Sequence, residues 1–471
     1  MTPALESVRR ELRSGNLPDA LLVREGGPIA GLSREELRRR AGEVAGGLAA
    51  MGVGAGDRVG LYAANSIEWL LAYLGGQLLG AVLVPFNPAY RSAEVTHIVN
   101  DADPRLVITD AARAEFVGGL GRPIVPLEDL PRAEPPPVPT LEPESPALII
   151  YTSGTTGRPK GALLDHGNLL AQARGAIEAW RWSSADLLVH ALPLFHLHGL
   201  GMGLHGTLLS GGALDLISFD PAAVVSRLRA GATMFFGVPA MYQRLCEHLE
   251  REPADLSQVR LFVSGSAPLP PELFRHCEGL LGQAPLERYG ITEGGIVVSN
   301  PFEGPRRPGR VGFPFAGVEV RLGEADEIQL KGGQVFSGYW RNPGATAGAF
   351  IDGWFRTGDV GELDADGSLA IRGRIKELII SGGFNVYPRE VELVLEEHPG
   401  VAEVAVAGLP SERWGEEVTA FVVARGERPA EEDLIAFAQE RLAKFKCPRS
   451  IRFIEALPRN AMGKVQRSLL S

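Results

Sequence analysis

The stretch YTSGTTGRPKG, residues 151–161, follows a short apolar run and has the composition of a loop. It offers consecutive backbone N–H groups, several hydroxyls and two cations, a combination that can wrap a polyphosphate. The residue order is not that of a Walker A loop, because Lys160 precedes Gly161 and directly follows Pro159. The sequence therefore predicts a phosphate-binding loop and disfavours a P-loop nucleotidase. A Gly/Ser loop that is only flexible, without a binding role, is a poor explanation for a pattern of this length.

Helical and strand-like segments alternate on both sides of this loop. Residues 33–52, SREELRRRAGEVAGGLAAMG, have helical spacing, with Ser33 and Glu36 in the form of a capping box and Gly52 as a C-terminal stop. The alternation returns between residues 187 and 302, where several strand-like runs end in Gly, Ser or His. Such alternation predicts an α/β architecture with mainly parallel strands and a ligand crevice at their carboxyl ends.

Changes in composition and periodicity suggest how the chain is divided. Residues 121–146 are rich in proline and predict a surface connection. Short alternating strands with many glycines over residues 309–359 predict a small β-rich subdomain. We expect an N-terminal domain over residues 1–375, made of stacked α/β subdomains plus this β-rich one, and a small mobile α+β C-terminal domain over residues 376–471.

Composition excludes several classes of protein. The 471 residues are 45% hydrophobic and 22% charged, which rules out wholesale disorder. A net charge of −10 without a dense basic tract argues against nucleic-acid binding. The three cysteines are too far apart for a C-x-x-C zinc motif, and residues 1–15 lack the apolar core of a signal peptide. The apolar stretch from Leu70 to Phe86 is broken by glycines and predicts a buried helix and strand instead of a membrane span. These features favour a cytoplasmic protein, monomeric or homodimeric.

Starting from the loop, the sequence resembles the adenylate-forming superfamily of acyl-CoA synthetases, nonribosomal adenylation domains and luciferases. The resemblance extends through nearly the whole chain, with further motifs in the order that the superfamily has them. These are LPLFHLHG at 192–199, SGSAPLP at 264–270, YGITE at 289–293, TGD at 357–359, GRIKELIISGGFNVYPREVE at 373–392 and PRNAMGKVQR at 458–467.

The resemblance implies that ATP, Mg²⁺ and coenzyme A bind here and that a carboxylic acid is activated. Within YGITE, the ring of Tyr289 suits adenine, the hydroxyl of Thr292 suits the α-phosphate, and the carboxylate of Glu293 suits Mg²⁺. Asp359 and Arg374 suit the ribose hydroxyls. The residues implied for the nucleotide are Thr152, Ser153, Gly154, Thr155, Thr156, Gly157, Lys160, Gly265, Ser266, Ala267, Tyr289, Gly290, Asp359 and Arg374.

The C-terminal motifs imply a second set of roles. Lys464 matches the lysine that stabilises the adenylation transition state, beside Thr292 and Glu293 as catalytic residues. Lys376 matches the hinge, and Gly382 and Gly383 match a turn that lines the tunnel for the pantetheine arm of coenzyme A. Glu377 stands where the superfamily more often has aspartate, and because the charge is retained we expect little consequence.

Several short sequence segments resemble those of the malonyl- and methylmalonyl-CoA synthetases within that superfamily. Arg244 occupies the position of an arginine in their GVP…R pattern and would pair with the distal carboxylate of a short diacid in a mostly closed pocket. Helical spacing alone favours a surface arginine. His198 and Met202 are expected in the same pocket, although His198 fits a core histidine nearly as well. A CoA ligase for another short, fatty or aromatic acid is the alternative, and a non-ligase ATP-binding or phosphotransfer protein is a third interpretation.

Overall fold

A computed structural model gives the fold. It describes residues 31–152, 159–381, 384–411, 413–459 and 465–470, together with the strand Val23–Glu25. In these ranges the alternation predicted from the sequence is present from the first helix onward.

The helices follow one another along the chain between the strands. They are α1 Arg34–Ala50, α2 Ile67–Leu78, α3 Ser92–Ala102, α4 Ala114–Val117, α5 His166–Ala179, α6 His205–Ser210, α7 Pro221–Arg229, α8 Pro239–Arg251, α9 Pro271–Leu281, α10 Pro343–Gly348, α11 Pro388–Leu395 and α12 Glu431–Gln439. A π-helix, His198–Leu204, precedes α6, and short 3₁₀ turns cover Leu127–Asp129, Glu324–Asp326, Ile375–Glu377 and Arg467–Leu469.

The strands are mostly short. They are β1 Val23–Glu25, β2 Gly31–Leu32, β3 Arg58–Tyr62, β4 Val82–Pro85, β5 Leu106–Thr109, β6 Ile124–Pro126, β7 Pro146–Thr152, β8 Lys160–Asp165, β9 Leu187–His190, β10 Ala213–Leu216, β11 Met234–Gly237, β12 Leu261–Ser264, β13 Leu286–Ile291, β14 Gly295–Ser299, β15 Phe313–Pro314, β16 Val318–Leu322, β17 Glu327–Gly332, β18 Gly338–Tyr339, β19 Phe350–Ile351, β20 Trp354–Leu363, β21 Leu369–Arg374, β22 Ile379–Ser381, β23 Phe384–Val386, β24 Val401–Ser411, β25 Gly415–Ala424 and β26 Ser450–Phe453.

Two large sheets form the first part of the chain. One has nine strands in the order β15-β14-β13-β12-β11-β9-β10-β1-β2, and the other has seven in the order β18-β8-β7-β4-β3-β5-β6. The central strands of both pair in parallel, with antiparallel strands at both edges of the nine-stranded sheet and at the β18 edge of the seven-stranded sheet. The predicted α/β class with mainly parallel strands is therefore confirmed.

Two smaller sheets follow. The third sheet is antiparallel, with β16, β17, β20 and β19 in order and β21 beside β20; it extends the predicted β-rich subdomain to Arg374. The fourth sheet, of β22 to β26, uses only residues after that point and packs against α11 and α12, as an α+β unit should. Sheet membership thus changes next to residue 376, where the domain boundary remains a prediction.

Several local predictions are confirmed. The Oγ of Ser33 accepts a hydrogen bond from the backbone N–H of Glu36, 3.1 Å away, and so caps α1. Gly52 follows the last turn with φ of +82°, the left-handed conformation that ends a helix. The stretch from Leu70 to Phe86 is the buried α2 and β4. Among the described residues, no helix is both long and apolar enough to cross a membrane.

The proline-rich connection, residues 121–146, does more than link two elements along the surface, because part of it packs directly against α1. A Cβ on Gly47 would come within 2.1 Å of the carbonyl oxygen of Pro131, and one on Gly46 within 2.4 Å of that of Ala133. Glycine is unfavourable inside a helix. Here it lets the connection approach the helix backbone directly.

We expect Gly47→Ala to lower the free energy of unfolding by about 1–3 kcal/mol, because the added methyl group overlaps backbone atoms that must move. Urea denaturation measures this. Gly279→Ala is the matched control: Gly279 is exposed in α9 with no atom near its Cβ position, so the change should be neutral or stabilise by up to about 1 kcal/mol. Equal stability of both variants would contradict the close contact.

Candidate active site

The predicted site residues gather where the parallel strands of the two large sheets end. β12 and β13 deliver residues 264–267 and 289–293 to the carboxyl edge of the nine-stranded sheet, and β7 delivers Thr152 from the seven-stranded sheet. Ser153, Gly154, Thr155, Thr156, Gly157, Gly382, Gly383 and Lys464 lie outside the described residues. Their predicted roles stay predictions.

Glu293 joins the two large sheets. Its carboxylate accepts hydrogen bonds from the hydroxyls of Thr152 and Tyr339, both at 3.1 Å, and its side chain is nearly buried. Burial and the Glu293 charge together raise the pKa of Tyr339, so this phenol remains a donor. The ammonium of Lys160 lies 5.2 Å from the centre of the Tyr339 ring. The structure thus brings together Thr152, Lys160 and Glu293, an acid and a cation flanking the predicted phosphate loop.

Asp359 makes a second junction. The Tyr289 hydroxyl donates to its Oδ2 at 2.6 Å, and the Arg374 guanidinium pairs with its Oδ1 at 2.8 Å. Burial, reinforced by the charge of Asp359, raises the pKa of Tyr289 well above its usual value, which keeps the phenol protonated. Tyr289, Asp359 and Arg374 are therefore adjacent, as predicted, with bonds to one another that the sequence did not reveal.

The turn that carries Thr292 depends on the neighbouring glycine. β13 has an irregular register between Tyr289 and Gly290, and a Cβ on Gly290 would lie 2.6 Å from the carbonyl oxygen of Gly295. Glycine is needed there for the close approach of β14, which places buried Thr292 and Glu293 in the turn between the strands.

The acyl side of the site is built on the π-helix. The glycine-rich segment after β9 has this rare helical form, which often occurs at functional sites. His198 and Met202, both buried, lie one turn apart on it, and the His198 Nδ1 is 3.2 Å from the Oγ of Ser266. Burial, and then the positive charge of Arg288, lower the pKa of His198 well below its usual value. The imidazole is therefore neutral at physiological pH.

Arg288 is the residue that the sequence reasoning missed. Its side chain is only 4% exposed, and its Nη2 donates to the Oγ of Ser266 at 3.4 Å, while its Nε has no hydrogen-bond partner among the described residues. Burial lowers its pKa to about 9, so the guanidinium stays charged at neutral pH. Arg288 lies two residues after buried Leu286, and alternate residues of a strand share a face. This spacing could have indicated that Arg288 is buried.

The segment after β12 makes room for this guanidinium. A Cβ on Gly265 would lie 2.4 Å from the Cζ of Arg288, so only glycine leaves the space open. Ser266 has a φ of +68°, a strained conformation for a residue other than glycine, of the kind that clusters at functional sites. Ala267 follows, half-buried at the same strand end. His198 and Arg288 therefore both contact the hydroxyl of Ser266, and the three side chains form one cluster.

The expectation of a closed pocket around Arg244 is wrong. Tyr242, Leu245 and Cys246 turn the buried face of α8 towards the core, and helical geometry puts Arg244 on the opposite, exposed face. Its guanidinium lies 5.0 Å from the centre of the Phe219 ring. This is the surface arginine that helical spacing favours.

Positive charge also collects at Lys376, the predicted hinge residue. Lys376 is exposed in a 3₁₀ turn directly after β21. Partial burial, and then the charges of Lys160 and Arg374, lower its pKa. Cations close enough to repel one another in this way would be stabilised by a polyanion such as the phosphates of a nucleotide.

Comparisons with known proteins agree with this geometry. The pattern of the AMP-binding enzyme family matches residues 14–340, and that of the AMP-binding enzyme C-terminal domain matches residues 390–464. A feruloyl-CoA synthase of Amycolatopsis sp is 40% identical over 469 residues, covering 95% of this chain and 94% of its own. The malonate–CoA ligase of Arabidopsis thaliana is 36% identical, covering 88% of this chain and 78% of its own.

A solved structure matches almost throughout. ATP-bound MatB from Rhodopseudomonas palustris superposes with a TM-score of 0.93 at 37% identity, covering 99% of this chain and 98% of its own. The predicted resemblance is confirmed, and the interpretation as a non-ligase nucleotide-binding protein is set aside. The chain belongs to the AMP-binding enzyme family, as an AMP-forming acid–CoA ligase that uses ATP, Mg²⁺ and coenzyme A.

Proposed function

We propose that this ligase activates a short dicarboxylic acid, with malonate and methylmalonate as the best-fitting substrates. The observation that carries the proposal is Arg288, a buried guanidinium beside His198 and Ser266 without a carboxylate partner among the described residues. An uncompensated buried charge costs several kcal/mol, so such a group is expected where an anion binds. A distal carboxylate would supply that anion and could accept two parallel hydrogen bonds.

The neighbouring strand residue does not neutralise this cation. Glu287 points to the other face of β13, where its carboxylate accepts a hydrogen bond from the backbone N–H of Leu269 at 2.9 Å. Burial raises the pKa of Glu287 to about 7, which further weakens its negative charge at neutral pH. The positive charge of Arg288 is thus left for a ligand.

An aromatic acid is the competing candidate, favoured by the 40% identity to a feruloyl-CoA synthase. A hydroxycinnamate would bring an apolar ring against a buried guanidinium and leave that charge unpaired, which is unfavourable. Similarity to malonate–CoA ligases, and to a solved malonyl-CoA ligase with methylmalonyl-CoA and AMP bound, supports the diacid instead.

In the proposed reaction, a carboxylate oxygen attacks the α-phosphorus of ATP, and the bond to the pyrophosphate oxygen breaks. The thiol sulfur of coenzyme A then attacks the acyl carbon, and AMP leaves. Tyr289, Asp359 and Arg374 would hold the adenosine, while Thr292, Lys160 and Lys464 would stabilise charge on the phosphates. The negative charge of the attacking acid makes such cations more important than a general base.

A metal-binding residue and a domain motion are also part of the proposal. The oxygen-rich surroundings of Glu293 fit Mg²⁺, which typically takes one or two carboxylates and completes its shell with water and phosphate. When bound, Mg²⁺ would offset phosphate charge. We propose rotation of residues 376–471 about Lys376, which would bring Gly382 and Gly383 to the site for the thiol step.

The first expectation concerns products. With MgATP, coenzyme A and malonate, the protein should form acyl-CoA, AMP and pyrophosphate in equal amounts, measured by chromatography. Methylmalonate should also react, while acetate and octanoate should react poorly. ADP and phosphate as products would contradict ligase chemistry, and a preference for ferulate would contradict only the diacid.

The second concerns Glu293. Glu293→Gln removes the proposed metal-binding charge, so the Mg²⁺ concentration for half-maximal adenylation should rise at least about 10-fold, the lower range seen on losing even an outer-sphere partner. Tyr339→Phe is the control, since it removes one hydrogen bond and keeps the charge, and its shift should be smaller. An unchanged Mg²⁺ dependence in Glu293→Gln would rule out the metal role.

The third separates the two arginines. Arg288→Ala removes the proposed partner of the distal carboxylate, at about 3–5 kcal/mol, so kcat/KM for malonate should fall roughly 10² to 10³-fold. For acetate or butyrate the same variant should be unchanged or improved. Arg244→Ala, the exposed counterpart, should leave every acid unchanged. Loss on all acids alike in Arg288→Ala would make Arg288 structural, and a selective loss in Arg244→Ala would return the role to Arg244.

A further inference from the structure

The residues that flank positions 460–464 pair with each other. Arg459 and Val465 form an antiparallel bridge, and the backbone N–H of Gln466 donates to the carbonyl of Pro458 at 2.8 Å. Arg459 also pairs with Glu403 at 3.0 Å. The described residues on either side of 460–464 are therefore joined to each other and, through Arg459, to β24 of the fourth sheet.

Arg467, three residues after Lys464, binds two acids from different parts of the C-terminal unit. Its Nη1 lies 2.7 Å from Glu377, directly after the hinge residue, and its Nη2 lies 2.7 Å from Glu392 on α11. Glu392 is buried and also accepts a hydrogen bond from the backbone N–H of Val406 at 2.9 Å. One planar guanidinium thus joins the hinge turn, α11 and the lysine-bearing segment.

We propose that Arg467 is a positioning residue for adenylation. By holding Glu377 and Glu392 together, it makes the hinge turn and the segment of Lys464 move as one body when the domain rotates. A flexible lysine can stabilise a transition state only from a defined place, and a misplacement of about 1 Å can cost on the order of 10²-fold in rate. Thioester formation, in which Lys464 has no assigned part, should depend much less on this contact.

The inference rests on the proposed role of Lys464. It also changes the prediction for Glu377, where we expected glutamate and aspartate to be equivalent. The length of the side chain now matters as well as its charge, because the longer glutamate reaches Arg467. Shortening it to aspartate should weaken the contact without removing the charge.

The test measures the two half-reactions separately in the full-length protein. Adenylation is followed by acid-dependent exchange of pyrophosphate into ATP, using whichever of malonate, methylmalonate, acetate or octanoate supports exchange in the wild type. Thioester formation is followed from the purified acyl-adenylate and coenzyme A. Because the acid is chosen by the wild type, failure of the diacid proposal leaves this test intact.

For Arg467→Ala, the kcat of adenylation should fall on the order of 10²-fold with little change in the KM for ATP, and thioester formation should change less than about 3-fold. Arg467→Lys should recover part of the loss. Glu377→Gln leaves Arg467 paired with Glu392 and so preserves the fold, and adenylation should fall about 10-fold. Arg441→Ala, an exposed arginine of the same unit, is the matched control and should match the wild type.

Lys464→Ala serves as the reference for adenylation. Equal losses in both half-reactions for Arg467→Ala and Glu377→Gln would show a structural role and overturn the proposal. Wild-type adenylation in Glu377→Gln would overturn it as well. Normal adenylation in Lys464→Ala would remove the assignment on which the proposal rests.

Discussion

Asp359 is the carboxylate on which the geometry of the site depends. It accepts a hydrogen bond from Tyr289 at the end of the nine-stranded sheet and pairs with Arg374 on the last strand before the hinge turn. The Asp359 side chain is buried, whereas that of Arg374 is 37% exposed, and the hydrogen bond from Tyr289 joins the nine-stranded sheet to the third sheet. Thr152 and Glu293 make a similar connection from the seven-stranded sheet. The crevice is therefore shaped by side-chain bonds between sheets.

Much of the fold was predictable because its signals are local. Buried parallel strands such as Met234–Gly237 are continuous apolar runs, and the N-cap at Ser33 involves only the following turn. The order of strands in each sheet was not predictable, because it depends on contacts between distant segments. The π-helix was missed for a similar reason: its form reflects close packing of its glycines, such as Gly203 against His190, which periodicity does not reveal.

The candidate site shows the same division. The nucleotide motifs pointed to Tyr289, Glu293 and Asp359, and the structure brings these three residues close to the guanidinium of Arg374. Substrate recognition was harder, because resemblance drew attention to Arg244, whereas helical geometry turns it outward. Arg288 could have been found from strand alternation alone. A charged residue two positions after a core leucine, in a strand buried on both faces, is expected to be buried too.

The close approach of the Arg288 guanidinium to Gly265 has an evolutionary consequence. A single methyl group at this position would overlap the guanidinium of Arg288 and force it to move, although Gly265 itself need never contact the acid. Under the proposed role of Arg288, one codon change at this glycine would therefore alter which acids bind while the arginine codon stays intact. Ligases of this family could then diverge between charged and neutral acids through a backbone position, and a survey that compares only charged pocket residues would not detect the change.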